Sequence, residues 1–327
     1  MDNNPRFGVV AIGRNEGERL KASLRSIPHG VPIVYVDSAS TDGSADFARG
    51  IGASVVDLDL SRPFTAARAR NEGFDRLQTI APQIDYVQFV DGDCEIEPDW
   101  FQIAVRRLDE RPDIAVVCGR RKEKDPNASF YNAMADREWD TPVGFANSAG
   151  GDAMVRVAAF KAVGGYDARI QAHEEPDMCA RMRERGMKIE RLDATMTYHD
   201  AAISKFSQWW RRNVRGGYGF AQTNAKWGRS PFNPAADLLR RTMLWSGLIP
   251  LMCTALSIAL FPWGLLSWLI YPLQVIRRAT RLEGTPTERL RRAALEQIAK
   301  FGEMRGVLTY WRDRLGSHRR DSISYKA

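Results

Sequence analysis

The chain has 327 residues, 44% hydrophobic and 27% charged. That is room for one large α/β domain plus an appendage, or for two modest domains, and it argues against extensive disorder. The net charge of +7 sits wholly in residues 277–327, with 13 Lys and Arg against 6 Asp and Glu, whereas residues 1–276 are neutral overall. Nucleic-acid binding wants its basic face on the functional domain, so no nucleic-acid partner is expected. Cysteines 94, 118, 179 and 253 are scattered without a CxxC pair. This speaks against structural zinc and a disulfide framework, and for a reducing compartment. Residues 2–7 are largely polar and the first apolar run is only strand-length, so no signal peptide is expected.

Short runs rich in Val, Ile and aromatics at Phe7–Ile12, Ile33–Val36, Ala53–Leu58 and Tyr86–Val90 predict strands. Amphipathic stretches at Glu18–Ser26, Ser44–Ile51 and Ala66–Leu77 alternate with them and predict helices. Such alternation implies βαβ units and a largely parallel sheet, whose ligands gather in the loops after the strands. Here those loops are Gly13–Glu16, Asp37–Gly43 and Asp91–Asp93. Beyond residue 120, glycine pairs at 150–151 and 164–165 mark turns. Ala158–Val163 and Pro176–Arg185 read as helices, with Pro176 at the first helical position, and Lys188–Leu192 reads as a strand.

Residues 242–276 carry no charge over 35 positions. As one helix they would measure about 52 Å, against roughly 30 Å of hydrocarbon. Pro262 divides the run, which predicts a hairpin or a span with a re-entrant segment. Arg240, Arg241, Arg277, Arg278 and Arg281 flank it. By the positive-inside rule both flanks belong in the cytoplasm, so the run crosses the membrane twice or not at all. Thr285-Pro286-Thr287-Glu288 has the form of a capping box. The apolar series after it, at 290, 294, 298, 301, 304, 308, 311 and 315, gives a basic amphipathic helix, suited to a membrane surface or to packing on the catalytic domain.

Three carboxylate or imidazole groupings can carry chemistry. Asp91-Gly92-Asp93 ends a buried strand, and Gly92 is expected to permit a sharp turn that aims both carboxylates at one point. Hard oxygens there suit Mg²⁺ or Mn²⁺. Glu174 and Glu175 lie side by side at a helix start, where an ionised carboxylate can act as a general base. His199 follows a predicted strand and offers a further metal ligand or phosphate contact. The Asn-Glu-Gly loops at 15–17 and 71–73, with Arg68 and Arg70, are candidates for phosphate binding.

Taken in order, Val10-Ala-Ile-Gly-Arg-Asn-Glu16, Val36-Asp-Ser-Ala-Ser-Thr-Asp-Gly-Ser44, Ala69-Arg-Asn-Glu-Gly73, Val90-Asp-Gly-Asp93, Val163-Gly-Gly-Tyr-Asp167 and His173-Glu-Glu-Pro-Asp177 resemble the family 2 glycosyltransferases. The likeness covers roughly residues 6–225. It implies a GT-A-type, Rossmann-like mixed α/β sheet with flanking helices, followed by a hydrophobic hairpin and an amphipathic helix. The domains would be residues 1–230 (catalytic), 231–281 (membrane-associated) and 282–327 (basic tail).

The resemblance further implies inverting transfer from a UDP- or GDP-linked sugar with Mn²⁺ or Mg²⁺. Asp37 would meet the base, Arg70 the diphosphate, Asp91 the ribose or sugar, and Asp93, with His199, the metal. Arg14, Glu16, Asn71 and Gly92 complete the candidate donor site. Glu175 stands where the family's catalytic carboxylate stands, although that residue is often Asp, which leaves Glu174 as the other candidate base. Gln208-Trp-Trp-Arg-Arg212 partly matches the Q-x-x-R-W element of processive members, with Arg212 in place of Trp. The expected acceptor is a saccharide, lipid-linked, at the cytoplasmic face of the plasma membrane, in cell-surface or exopolysaccharide synthesis. Rival readings are a polyprenyl-phosphate sugar synthase, a sugar nucleotidyltransferase and a non-catalytic membrane scaffold.

Overall fold

The computed structural model describes residues 5–59 and 61–316. Strands β1 (Phe7–Gly13), β2 (Ile33–Asp37), β3 (Ser54–Asp57) and β4 (Tyr86–Asp91) run parallel in the order β3-β2-β1-β4. In β1, β2 and β4 successive residues such as Val9 and Val10, or Val34, Tyr35 and Val36, are all buried. That is the mark of a sheet covered on both faces. The crossovers are α1 (Glu18–Arg25), α2 (Ser44–Gly50) and α3 (Ala66–Ile80). Thr65 caps α3 by accepting the Arg68 N–H at 3.1 Å. A Cβ at Gly73 of α3 would come within 2.4 Å of Val10 and 2.8 Å of Val36. Glycine there lets α3 settle onto the sheet and delivers its first turn to the strand ends.

The second half turns the sheet mixed. Its elements are β5 (Cys94–Ile96), α4 (Trp100–Glu110), β6 (Ile114–Glu123), α5 (Phe130–Trp139), β7 (Gly144–Ala146), β8 (Ala153–Arg156), α6 (Val157–Ala162), α7 (Glu174–Glu184) and β9 (Lys188–His199). β8 lies antiparallel to both β4 and β6, β6 runs parallel to β9, and β5 and β7 pair antiparallel with β9. The strand expected at Lys188–Leu192 continues to His199. α7 starts at Glu174, so Pro176 is its third residue and not its first as expected. A proline is tolerated there because the first turn's N–H groups have no intrahelical partners.

A second compact unit holds residues Lys205–Arg229 and those from Ala235 onward, while Ser230–Pro234 belongs with the sheet unit. Arg183 binds that short segment, donating to the Phe232 carbonyl at 3.3 Å. The second unit comprises α8 (Phe206–Trp227), α9 (Ala236–Met243), α10 (Ile249–Ala259), α11 (Ile270–Ala279) and α12 (Pro286–Leu315). The expected boundary at 230 thus differs from the observed grouping, which assigns α8 to the helices. The cause is a close helix crossing. A Cβ at Gly217 would sit 1.9 Å from the Glu303 carbonyl, and one at Gly306 would sit 2.0 Å from the Val214 carbonyl.

A π-type turn at Leu244–Leu248 joins α9 to α10, making one helical stretch from Ala236 to Ala259. The chain reverses at Leu260–Pro262 and returns through a 3₁₀ segment, Trp263–Leu269, into α11. Gly264 packs on the Leu256 backbone, where a Cβ would lie 1.9 Å from its carbonyl. The charge-free run is therefore a hairpin. The capping box is present: Glu288 N–H donates to the Thr285 hydroxyl at 3.3 Å and Thr285 N–H to Glu288 at 2.9 Å. Most of the apolar row predicted on α12 faces outward, although its Met304 is buried. Its buried face is Ala293, Gln297, Gly302, Glu303, Gly306, Val307 and Tyr310, while Leu290, Leu308, Trp311 and Leu315 are exposed. Gly302 and Gly306 on α12 permit the close approach to α8, and Met304, Val307 and Tyr310 pack beside them with Tyr218 and Ala221.

Candidate active site

The loops after β1 and β2 are laced together. Asn15 N–H donates to the Ser40 hydroxyl at 2.9 Å, Thr41 N–H to the Asn15 side chain at 2.7 Å, and Gly17 N–H to Asp42 at 2.8 Å. Asp37, at the end of β2, accepts the Ser40 N–H at 2.8 Å and the Tyr35 hydroxyl at 3.0 Å. It lines a cavity of about 440 Å³ together with Ser40, Thr41, Arg49, Asp57 and Leu58. Asn15 and Ala39 in these loops, and His173 before α7, hold left-handed backbone at φ 53°, 63° and 76°. Such strain costs roughly 1–3 kcal/mol per residue and tends to cluster where geometry is functional.

Asp91 and Asp93 have different charged partners. Asp91 lies between two guanidinium groups, Arg70 at 2.9 Å and Arg121 at 3.0 Å, and both charges outweigh burial to hold its carboxyl below the usual range. Asp93 pairs with His199, with Oδ1 at 3.4 Å from Nε2. The antiparallel pairing of β5 with β9 sets Cys94 opposite His199 and so brings this pair together. Gly92 makes no left-handed turn. Its N–H donates to the Ile12 carbonyl at 2.8 Å, and a Cβ would crowd that oxygen, Leu20 and Glu16 at 3.1–3.4 Å. Gly92 thus fits a close seat beneath the first loop.

Arg70 is the hub. Nearly fully buried, it reaches Asp91 with Nη2 and both Glu174 and Glu175 with Nη1 at 3.0 Å, and it stacks over the Tyr166 ring. The guanidinium expected to meet the diphosphate therefore holds three carboxylates. Gly151 explains the glycine pair at 150–151, since a Cβ there would strike Arg70 Nη2 at 2.6 Å and Asp91 Oδ2 at 2.9 Å. Glu175 is driven up to about 7, by burial first and the adjacent Glu174 second, against the pull of Arg70. Glu174 is the more deeply buried of the two.

Three expected donor residues are otherwise engaged. Asn71 clamps the Tyr166 backbone, donating to its carbonyl at 2.8 Å and accepting its N–H at 2.9 Å, so both faces of its amide are used. Glu16 is buried and paired with Arg19 at 2.8 Å. Arg14 is exposed and lies over the Phe64 ring. Conversely, Arg121 and Asp152 belong to the site without having been foreseen. Asp152 accepts from Arg121 at 2.8 Å, from the Thr197 hydroxyl at 2.8 Å and from the Asp91 N–H at 3.0 Å. No local motif marks either residue; only the β8–β4 and β6–β9 pairings bring them in.

The donor set around Asp93 fits a hard or borderline divalent cation. Asp93, Cys94 and His199 offer ligand atoms within 4.8 Å of one another. Burial pushes the Cys94 thiol far above its ordinary range, which leaves the Asp93 carboxylate and the His199 imidazole as the readier ligands. Behind His199, Glu123 lies 3.8 Å from Nδ1 and Trp139 packs edge-on against the ring. A carboxylate behind a ligating histidine orients it. Although burial opposes it, Asp93 and then Glu123 raise the His199 pKa.

With the geometry in hand, comparison with known proteins is decisive. The model of glycosyl transferase family 2 matches residues 9–163, and the model described as the N-terminal domain of galactosyltransferase matches residues 132–201. Residues 9–163, just under half of the chain, thus match glycosyltransferase family 2, and the chain is a glycosyltransferase. It is 26% identical over 198 residues to the succinoglycan biosynthesis protein ExoA of Rhizobium meliloti. That match covers 57% of this chain and 58% of the relative, so it spans little more than half of that protein. The mannosyltransferase PcManGT of Pyrobaculum calidifontis, solved with GDP-Man and Mn²⁺, superposes with TM-score 0.61 at 17% identity over 96% of this chain and 89% of its own. S. aureus TarS 1–349 superposes with TM-score 0.50 at 15% identity, covering 97% and 93%. These likenesses establish the GT-A fold of this chain.

Proposed function

We propose that this glycosyltransferase moves a sugar, with inversion, from a UDP- or GDP-linked donor to a hydroxyl of a saccharide acceptor in polysaccharide assembly. The observation that carries the reading is the Arg70 bridge. One buried guanidinium joins Asp91, on the donor loops, to the pair Glu174 and Glu175. Glu175, the less buried of the pair and pushed up to about 7, is suited to take a proton near neutral pH. The acceptor oxygen bonds to the anomeric carbon as the bond to the diphosphate breaks, and the acceptor proton passes to Glu175. Asp93 and His199 would hold a divalent cation, which when bound stabilises the charge on the departing diphosphate. Imidazole beside carboxylate favours Mn²⁺ over Mg²⁺. The loops at Asn15 and Asp37, with their cavity, would seat the nucleoside.

The match to ExoA, a succinoglycan biosynthesis protein, supports polysaccharide assembly, and the GDP-Man and Mn²⁺ in the Pyrobaculum structure support a metal-assisted nucleotide sugar donor. The apolar helical stretch Ala236–Ala259 and its flanking arginines support a lipid-linked acceptor and a location at the cytoplasmic face of the plasma membrane.

The test is transfer from a panel of UDP- and GDP-sugars to lipid-linked saccharides, with wild type, Glu175→Gln and Asp93→Asn. Wild type should turn over one donor in the presence of Mn²⁺. Asp93→Asn should lose the metal response, and Glu175→Gln should lose on the order of 10²–10⁴ in kcat. Near-normal turnover by Glu175→Gln would overturn the base assignment and favour a phosphate acceptor.

A further inference from the structure

The helical unit leaves far more bulky apolar surface outside than a water-soluble bundle of its size tolerates. On the outgoing leg Leu251 and Ile258 are 69% and 78% exposed, and at the turn Phe261 and Trp263 are 75% and 76% exposed. On the return leg Leu266, Leu273 and Ile276 are more than half exposed. The legs are nonetheless fixed to each other: Trp268 donates to the Ser257 hydroxyl at 3.1 Å, and Tyr271 to the Trp245 carbonyl at 2.8 Å. A preformed, charge-free hairpin therefore projects with its outer surface uncovered.

Its open end differs from its tip. Arg240 and Arg241 precede the first leg, and Arg277, Arg278 and Arg281 follow the second. α12 crosses this open end: Ser246 donates to the Lys300 carbonyl at 2.7 Å, Thr242 to Glu303, Tyr271 stacks near Phe301 at 6.0 Å, and Arg278 pairs with Glu296. There α12 turns out Leu308, Trp311 and Leu315. It also forms a cleft of about 340 Å³ in which Arg305 and Arg312 flank Phe301, Met304 and Leu308. Cationic heads beside apolar walls complement an anionic lipid headgroup.

Resting on the membrane location proposed above, we infer that this hairpin enters a bilayer bearing anionic headgroups from one side and does not emerge on the other. Three observations carry this. The charge-free helical part of the first leg, residues 242–259, is about 27 Å long at ~1.5 Å per residue. The return leg, residues 263–276, is about 24 Å when its 3₁₀ half rises ~2.0 Å per residue. The return leg falls short of about 30 Å of hydrocarbon even when upright, so the hairpin cannot cross twice, although its outgoing helix, Ala236–Ala259, is by itself long enough to cross once. The turn, Leu260-Phe261-Pro262-Trp263, has no charged or hydrogen-bonding loop residue other than the Trp263 indole to meet water on a far side. All the arginines collect at the other end, with α12 laid across it.

The experiment uses the full-length chain with Cys253→Ser as background, the other three cysteines being buried. Flotation with vesicles of phosphatidylcholine alone, or mixed equally with phosphatidylglycerol, tests the membrane reading. The protein should float with the anionic vesicles. Replacing Arg240 and Arg241 with Gln should weaken that binding about thirtyfold, at about 1 kcal/mol per arginine. Phe261→Cys should resist a membrane-impermeant maleimide both outside the vesicles and trapped in their lumen, while Glu283→Cys reacts from outside. Failure to float, or a soluble oligomer that buries the hairpin, would overturn both the membrane reading and this inference. Flotation with Phe261→Cys labelled from the lumen would overturn this inference alone, by showing a spanning hairpin. Labelling from outside would overturn insertion of the tip.

Discussion

At the scale of residues, the site is organised by one arginine and two carboxylates with different partners. Asp91 is held by Arg70 and Arg121, whereas Asp93 faces His199. Asp93→Asn should therefore abolish the Mn²⁺ dependence of nucleotide binding, and Asp91→Asn should leave it while loosening the Arg70 network. The check is calorimetric titration of each variant with and without Mn²⁺. Replacing Arg70 with Met strands Glu174, which is buried, and should cost about 3–5 kcal/mol of stability in denaturant melts.

Glu175 makes a pH prediction of two parts. A base must be ionised, so kcat/KM should rise through about pH 7, and Glu175→Gln should remove that limb. For stability the sign is opposite. The folded pKa lies above the ordinary 4.5, so the folded state holds the extra proton between them. Stability from this group is complete below about 4.5 and is lost as pH rises through about 7. Thermal melts across that window should show wild type losing more stability than Glu175→Gln.

At the scale of elements, much was legible where local pattern decides and little where pairing decides. The parallel half of the sheet was readable because each buried strand is a continuous apolar run punctuated by a polar loop, and those loops do converge. The run Ile114–Cys118 has the same composition, but nothing local reveals that β6 lies between β8 and β9 and so delivers Arg121 to Asp91. The capping box at Thr285 was readable because its bonds are three residues apart. The buried face of α12 was legible only at Met304, because hydrophobic periodicity marks bulky residues and the closest approach to α8 is made at glycines.

That contact gives a prediction with opposite signs at adjacent positions. A Cβ at Gly217 meets the Glu303 backbone, whereas one at Gly216 meets only Phe220 at 3.7 Å. Gly217→Ala should destabilise the helical unit by about 3 kcal/mol or more, at the upper end of overpacking. Gly216→Ala should stabilise it by up to about 1 kcal/mol through helix propensity. Protease resistance of α8 and α12 in the two variants checks both.

At the scale of the whole molecule, charge and hydropathy divide the labour. The sheet unit carries the loops after β1 and β2, the Asp93–His199 pair and the carboxylate pair, and the helical unit carries an excess of basic residues and the uncovered apolar hairpin. Charge follows the same division: residues 205–327 hold 21 Lys and Arg against 7 Asp and Glu, and residues 1–204 hold 26 against 33. The central claim is that Asp93 and His199 form the cation-assisted donor site and that Glu175 serves the acceptor. Titration of the full chain with UDP and GDP, with and without Mn²⁺, tests it most directly. One nucleotide should bind only with Mn²⁺; Asp93→Asn should abolish that binding and Glu175→Gln should leave it intact. Metal-independent binding, or no binding of either nucleotide, would contradict the account.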